Sequence, residues 1–369
     1  MIERLSIHNY KCFQHFDWSP GRVNLLIGRN GVGKSAIQSV LQMLRQFIVE
    51  DQDLQQCLPA NALCVFGDPG PIDIKVELRL STGTFTYQLS VGVDRSSHNS
   101  EVEHESLQWN GEFLCSRNRV QSSVAIGPDG EKSVFIPANP AKSVLSFAAH
   151  VDGVPAVRQA FRDLVTLHLE PNRIGDQSRQ ASSYLAGSGE NFVDWWRTLQ
   201  DSPALKSRIQ QDLALVLPGF SSLTAVPHSA GRESLWLCEV KFCATGAASR
   251  TYSFADLSDG QKALIVLYCV LHASVKPDAI VFLDEPENYL NLFEIQPWLF
   301  AMIDAALDNG AQLIFSSHHP ELLNQLAPSH GYLLERTLDG AAEITKVSDR
   351  NFDGSSSTIS ELVALGEIG

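Results

Sequence analysis

The chain has 369 residues, 44% of them hydrophobic and 19% charged, enough apolar material for one elaborate domain or two intimate ones. With 28 Lys and Arg against 42 Asp and Glu, the formal net charge of −14 argues against a globally basic nucleic-acid binder and leaves only a local basic groove open. "MIERLSIHNY" carries charge where a secretory leader needs an apolar run, and no apolar stretch is long enough to span a bilayer. The seven cysteines (Cys12, Cys57, Cys64, Cys115, Cys238, Cys243 and Cys269) form no C-x-x-C pair, so neither a disulfide framework nor a zinc site is expected. A soluble, cytoplasmic protein follows as the expectation.

The opening residues read as short strands, with Ile2, Leu5, Ile7 and Phe13 as apolar points, ending in the buried strand "VNLLI". A helix is predicted from about Lys34 to Val49, apolar at Ile37, Leu41, Leu44 and Ile48. "PIDIKVELRL" and "TFTYQLSV" then alternate apolar and polar residues, and Asn110-Gly111 and Asp129-Gly130 are hairpin dipeptides, so this stretch predicts a half-solvated antiparallel sheet. From about Val154 to Leu217 the period turns helical, most clearly in "NFVDWWRTL" and "LKSRIQQDLALVL". "SLWLCEVKF" returns to strand. "AIVFLD" and "AQLIFSS" flank the helix "FEIQPWLFAMIDAAL", a spacing that predicts a parallel sheet. "GYLLERTLDGAAEITKV" reads as a hairpin, and "TISELVALGE" as a helix. The only low-complexity content is the serine run 355–357.

Four segments carry chemistry. "GRNGVGKS", from Gly28 to Ser35, fits the P-loop pattern G-x-x-x-x-G-K-S/T and stands between a strand and a helix, as that pattern requires. Backbone N–H groups of Asn30, Gly31, Gly33, Lys34, Ser35 and Ala36 would cradle phosphates, with Lys34 on the β/γ-phosphates and the Ser35 hydroxyl on Mg²⁺. "AIVFLDEPEN" ends a buried strand in two carboxylates: Asp284 suits a Mg²⁺ ligand and Glu285 a base that polarises water. "IFSSHHPELL" ends the next strand in histidines, of which His318 follows the strand end more directly and could sense a γ-phosphate; His319 stays open. "LSDGQ" places Ser258, Gly260 and Gln261 at a helix start. It fits a plain capping box, and it also fits an anion site.

Together these motifs resemble an ABC-type ATPase of the RecF, SMC/Rad50 and OLD-like group, and more closely the stand-alone ATPases called AAA15 or AAA_21. "VNLLIGRNGVGKS" matches strand and P-loop, "LSDGQ" the ABC signature, "IVFLDEPEN" Walker B and "SSHHP" the switch-histidine loop; "GENFVDWWRTL" is a helix of the kind such chains carry. The resemblance implies an α/β ABC-type ATPase head with a mixed and parallel core sheet, an antiparallel β subdomain and a helical insertion. It would be one head over 1–369, divided into a P-loop lobe with the β subdomain (1–150), a helical insertion (151–235) and a lobe with signature, Walker B and histidine loop (236–369). It further implies ATP and Mg²⁺ as cofactors, hydrolysis with Glu285, His318 and Lys34 at the reacting phosphate, and head-to-head homodimers in which Ser258, Gly260 and Gln261 meet ATP held by the partner's P-loop. A separate effector, nuclease or toxin, in prokaryotic genome defence is the implied role.

Asp259 stands where glycine is commonest, and Asn291 where an aspartate is usual; the Q-loop glutamine has no clear place, Gln42 being too early and Gln55 and Gln56 mere candidates. No heptad arm or cysteine hook interrupts the chain, and the segment after His318 is short for a nuclease domain, so hydrolysis is the only chemistry expected. The alternative is a RecF-like repair clamp that grips DNA itself. Arg158, Arg162, Arg173 and Arg179 could form its basic stripe, but Asp163, Glu170 and Asp176 interleave with them and favour a solvated face. A transporter subunit and a non-hydrolysing scaffold are further alternatives. Trp195 and Trp196 could anchor a partner or pack in a helical core.

Overall fold

The computed structural model describes residues 1–58, 62–64, 66, 70–94, 99–118, 123–126, 132–134, 139, 141–230, 233–243, 249–350 and 358–365. The Asp129-Gly130 hairpin and the serine run 355–357 lie outside the described residues.

The first half runs β1 (Ile2–Tyr10), β2 (Phe13–Trp18), β3 (Val23–Ile27), α1 (Lys34–Ile48), α2 (Leu54–Cys57), β4 (Ile72–Leu80), β5 (Gly83–Val93), β6 (Ser100–Trp109), β7 (Glu112–Asn118), β8 (Ser123–Ile126), β9 (Lys132–Val134), α3 (Val144–Phe147) and α4 (Val154–Arg162). It continues with β10 (Val165–Leu167), β11 (Gln177–Ser178), α5 (Phe192–Gln200), α6 (Pro203–Val216), β12 (Phe220–Ala230), β13 (Glu233–Phe242), β14 (Arg250–Ser253) and α7 (Asp259–Ser274). Last come β15 (Ile280–Asp284), α8 (Leu292–Asn309), β16 (Gln312–Ser316), α9 (Pro320–His330), β17 (Gly331–Arg336), β18 (Ala342–Lys346) and α10 (Ile359–Ala364). These form two compact units. One holds Met1–Leu164, Asp278–Ile280 and Gln312–Gly369; the other holds Val165–Pro277 and Val281–Ala311.

In the first unit, β2-β1-β4-β5-β6-β7-β8-β9 make an antiparallel sheet. Its strands alternate as the sequence predicts: Ile72, Ile74, Val76, Leu78 and Leu80 of β4 are buried, with more exposed residues between them. The Asn110-Gly111 turn joins β6 to β7. Beside this sheet, β3 pairs in parallel with β16 on one side and β17 on the other, and β18 closes the set antiparallel to β17. Every residue of β3 and β16 is buried, which is why these strands read as continuous apolar runs. α1 turns Ile37, Val40, Leu41, Leu44 and Phe47 inward.

The second unit pairs β10 with β15 in parallel and sets β12, β13, β11 and β14 in an antiparallel sheet. Phe192, Trp195 and Trp196 of α5 are buried, Trp196 completely, so this pair is core rather than an exposed anchor. α7 buries eleven of its residues, and α8 buries Ile295, Trp298, Leu299, Met302 and Ala306; the Trp298 indole donates to the Leu267 carbonyl at 2.9 Å.

One expectation is corrected. The stretch read as helical, Val154 to Leu217, also contributes β10 and β11, which are too short for periodicity to register. In the division into two units, residues 151–164 and 312–369 fall in the first. The pairing of β16 and β17 with β3 joins distant segments, and periodicity cannot report pairing.

Candidate functional site

In the first unit, β3 ends at Ile27 and the chain turns through Gly28–Gly33 into α1. Gly33 occupies φ 128°, outside the reach of other residues, and a Cβ there would meet Cys12 Sγ at 2.8 Å and Phe13 Cε1 at 2.9 Å. α1 opens on this glycine with no side-chain cap and no acidic residue in its first turn. The first N–H groups of a helix have no i−4 acceptor; here that of Ala36 turns to the Gly33 carbonyl at 2.9 Å, and the dipole favours an anion. Lys34 is buried, and its ammonium folds back on the loop, donating to the carbonyls of Gly28 and, at 3.2 Å, Arg29. Asn30, Gly31 and Ser35 are exposed, whereas Ala36 is buried. Arg336 of β17 braces the turn: one guanidinium nitrogen donates to the Gly31 carbonyl and the other to Gly340, both at 2.7 Å.

β16 runs beside β3 with Ser316 opposite Leu26, so its carboxyl end leads to Ser317 and His318 next to the glycine turn. His318 is exposed. His319 has a different job: it caps α9, its Nδ1 accepting from the Glu321 N–H at 3.3 Å, with Pro320 in the first turn.

In the second unit, Ser258 caps α7. Its hydroxyl accepts from the Gln261 N–H at 3.3 Å while the Gln261 side chain accepts from the Ser258 N–H at 3.1 Å, a complete capping box. Gly260 lies against the Tyr289 carbonyl, and Tyr289 itself is exposed at φ 73°. Asn291 heads α8 in a second capping box with Glu294, and this local duty accounts for an asparagine at that position.

β15 delivers Asp284, which is buried, and Glu285, which is half-buried at φ 49°. That backbone costs on the order of 1–2 kcal/mol, and the turn that follows holds it through the Asn288 N–H on the Glu285 carbonyl at 3.1 Å. The Asn288 amide also donates to Glu285 Oε2 at 2.9 Å. β10 ends beside β15, and the imidazole Nδ1 of His168 stands 3.3 Å from Asp284 Oδ2.

The structure thus brings the P-loop residues and His318 together in one unit, and Ser258, Gly260 and Gln261 with Asp284 and Glu285 in the other. Sequence reasoning missed Arg336, Asn288 and His168; only Asn288, close behind Glu285, carried a local signal. Gln42 sits in α1 and Gln55 and Gln56 in α2, none at a strand end, and the residue that follows β10 is His168. Of the arginines, Arg173 pairs with Glu170 and Glu190, and Arg158 and Arg162 donate to Ser146 and Gln159, as on a solvated face.

The residues present fit a nucleotide with Mg²⁺ unit by unit: in the first, the uncapped start of α1 suits a phosphate and the exposed Ser35 hydroxyl is a hard oxygen donor; in the second, the Asp284 carboxylate is a hard ligand of the kind Mg²⁺ takes. No cluster of three metal-ligating His, Cys, Asp or Glu side chains exists among the described residues, and none of their helices is long and apolar enough to cross a membrane.

A family model described as "AAA domain, putative AbiEii toxin, Type IV TA system" matches residues 171–324. Two solved structures share the fold. An Smc head bound to the C-terminal winged-helix domain of ScpA superposes with a TM-score of 0.53 at 11% identity, covering 93% of this chain and 97% of that one. An Smc head with an extended coiled coil, bound to the C-terminal domain of ScpA derived from Pyrococcus furiosus, gives 0.51 at 11% identity over 99% and 98%. No curated protein matches the chain significantly.

Proposed function

For a chain with the fold of an ABC/SMC-type P-loop ATPase head, we propose an ATP-driven switch. It binds ATP with Mg²⁺ on the P-loop, closes against a second copy and reopens on hydrolysis, and its state controls a separate effector. The observation that carries this reading is the start of α1: an uncapped helix on Gly33, without acid in its first turn, with Lys34 already gathered onto the loop.

Within this reading the N–H groups of Asn30, Gly31, Gly33, Lys34, Ser35 and Ala36 hold the phosphates, and Lys34 exchanges loop carbonyls for the β/γ-oxygens. Ser35 and Asp284 would hold Mg²⁺, which neutralises phosphate charge when bound. Glu285 accepts a proton from the attacking water, and the Asn288 amide keeps its carboxylate turned. His318 reports the γ-phosphate. Ser258, Gly260 and Gln261 meet the partner copy's nucleotide; the capping box occupies the Gln261 N–H and leaves the earlier N–H groups at the helix start. Asp259 there adds a like charge that slows closure.

The separate effector is supported by likeness alone: the matching family model names a toxin of a toxin–antitoxin system, and the Smc heads were solved bound to ScpA. A role in prokaryotic genome defence belongs to the same reading. The paired, interleaved arginines do not favour the RecF-like clamp.

The test is ATP turnover and sedimentation of the wild type and Glu285→Gln. The expected outcome is turnover in the wild type, a loss of about 10²–10⁴-fold in the variant, and an ATP-dependent dimer that the variant accumulates. Equal background rates and one monomeric species with ATP would reject the switch.

A further inference from the structure

We infer that His168 is a positioning residue of this site, whose imidazole orients the Asp284 carboxylate for a bound divalent cation; the inference rests on the ATP reading above. β10 and β15 run parallel with Leu167 opposite Leu283, so the residues that follow at the two carboxyl ends, His168 and Asp284, stand side by side. The ring nitrogen Nδ1 is 3.3 Å from Oδ2. The Asp284 side chain is only 10% exposed and that of His168 is 48% exposed, so the carboxylate is sheltered while the ring reaches the surface.

The segment that carries the ring is anchored through its backbone. The His168 N–H donates to the Gly187 carbonyl at 2.8 Å, and the Glu170 N–H donates to Ser188 at 3.0 Å, pinning the segment after β10 to the 186–189 turn. The backbone that carries this imidazole is therefore fixed beside the end of β15. A donor fixed on Oδ2 sets the plane of the carboxylate before a cation arrives, and such partners of metal ligands are worth about 10–100-fold in metal affinity. The neutral ring suffices: with the proton on Nδ1 it presents a donor to Asp284 Oδ2 3.3 Å away, and Nε2 stays an acceptor.

A bland reading is also available, that the pair merely ties β10 to β15. The two readings differ in what they do to the cation. Binding of a fluorescent mant-ATP to the full chain is measured without metal and across a Mg²⁺ series, for wild type, His168→Ala and His168→Asn. The alanine variant is expected to bind metal-free nucleotide within about twofold of wild type while needing about tenfold or more Mg²⁺ for half-maximal strengthening. The asparagine variant, whose amide nitrogen can take the place of Nδ1, should recover most of that loss. An unchanged Mg²⁺ requirement in the alanine variant overturns the inference, and so do an equal loss with and without Mg²⁺ or no recovery with asparagine. A wild type that binds no mant-ATP under either condition overturns the ATP reading itself, and this inference with it.

Discussion

Gly260 and Tyr289 are locked backbone to backbone: a Cβ on Gly260 would lie 2.8 Å from the Tyr289 carbonyl oxygen. The first turn of α7 and the turn behind Glu285 are thus in direct contact within one unit. Glycine is required here by close approach, not by an unusual backbone.

Gly260→Ala should therefore destabilise the protein, although alanine is the better helix former by about 1 kcal/mol. The contact atom is backbone and cannot swing aside, so the overpacking cost of about 1–3 kcal/mol wins. Urea unfolding would show a lower midpoint than wild type. A midpoint at or above the wild-type value would mean that the turn after Glu285 yields easily.

Arg336→Ala should weaken ATP binding about tenfold while the circular dichroism spectrum stays as in wild type. The guanidinium bridges Gly31 and Gly340 with separate nitrogens, and a charged hydrogen bond is worth about 1.5–3 kcal/mol. Arg336→Lys should not restore affinity, because a single ammonium lacks the fork that spans both carbonyls. Calorimetric affinities equal to wild type in both variants would remove Arg336 from the support of the P-loop.

His330, at the end of α9, should make the fold acid-sensitive. Burial first, then the nearby Lys346 charge, lower its pKa below the ordinary value of 6.5, against a smaller opposing pull from the backbone at Val23. The folded chain thus resists protonation that the unfolded chain accepts. The stability is fully present above pH 6.5 and is lost as pH falls through 6.5 toward the folded pKa. Melting temperatures at pH 7.5 and 5.5 should fall more in wild type than in His330→Gln. Parallel drops in the two proteins would show that His330 contributes nothing to the acid response.

The parts of the site that were legible are those whose signal is local. "GRNGVGKS" announces a phosphate turn because strand, glycines, lysine and helix are consecutive, and the structure bends there as the spacing predicts. The Ser258 capping box was readable from Ser258 and Gln261 for the same reason. The sequence favoured His318, nearer the strand end, and left His319 open; packing gave His319 to the α9 cap.

Composition, alternation and motif spacing by themselves determined the α/β class, the β-rich stretch from Ile72, the buried strands β3, β15 and β16, and the identity of Lys34, Asp284 and Glu285 as the chemical candidates. The tertiary structure alone decided that Arg336 braces Gly31, that Trp196 is core, and that His168 stands beside Asp284. Each of these depends on which strands lie side by side or which face a helix buries. Pairing between distant segments leaves no period in either one, so only the folded chain can reveal it.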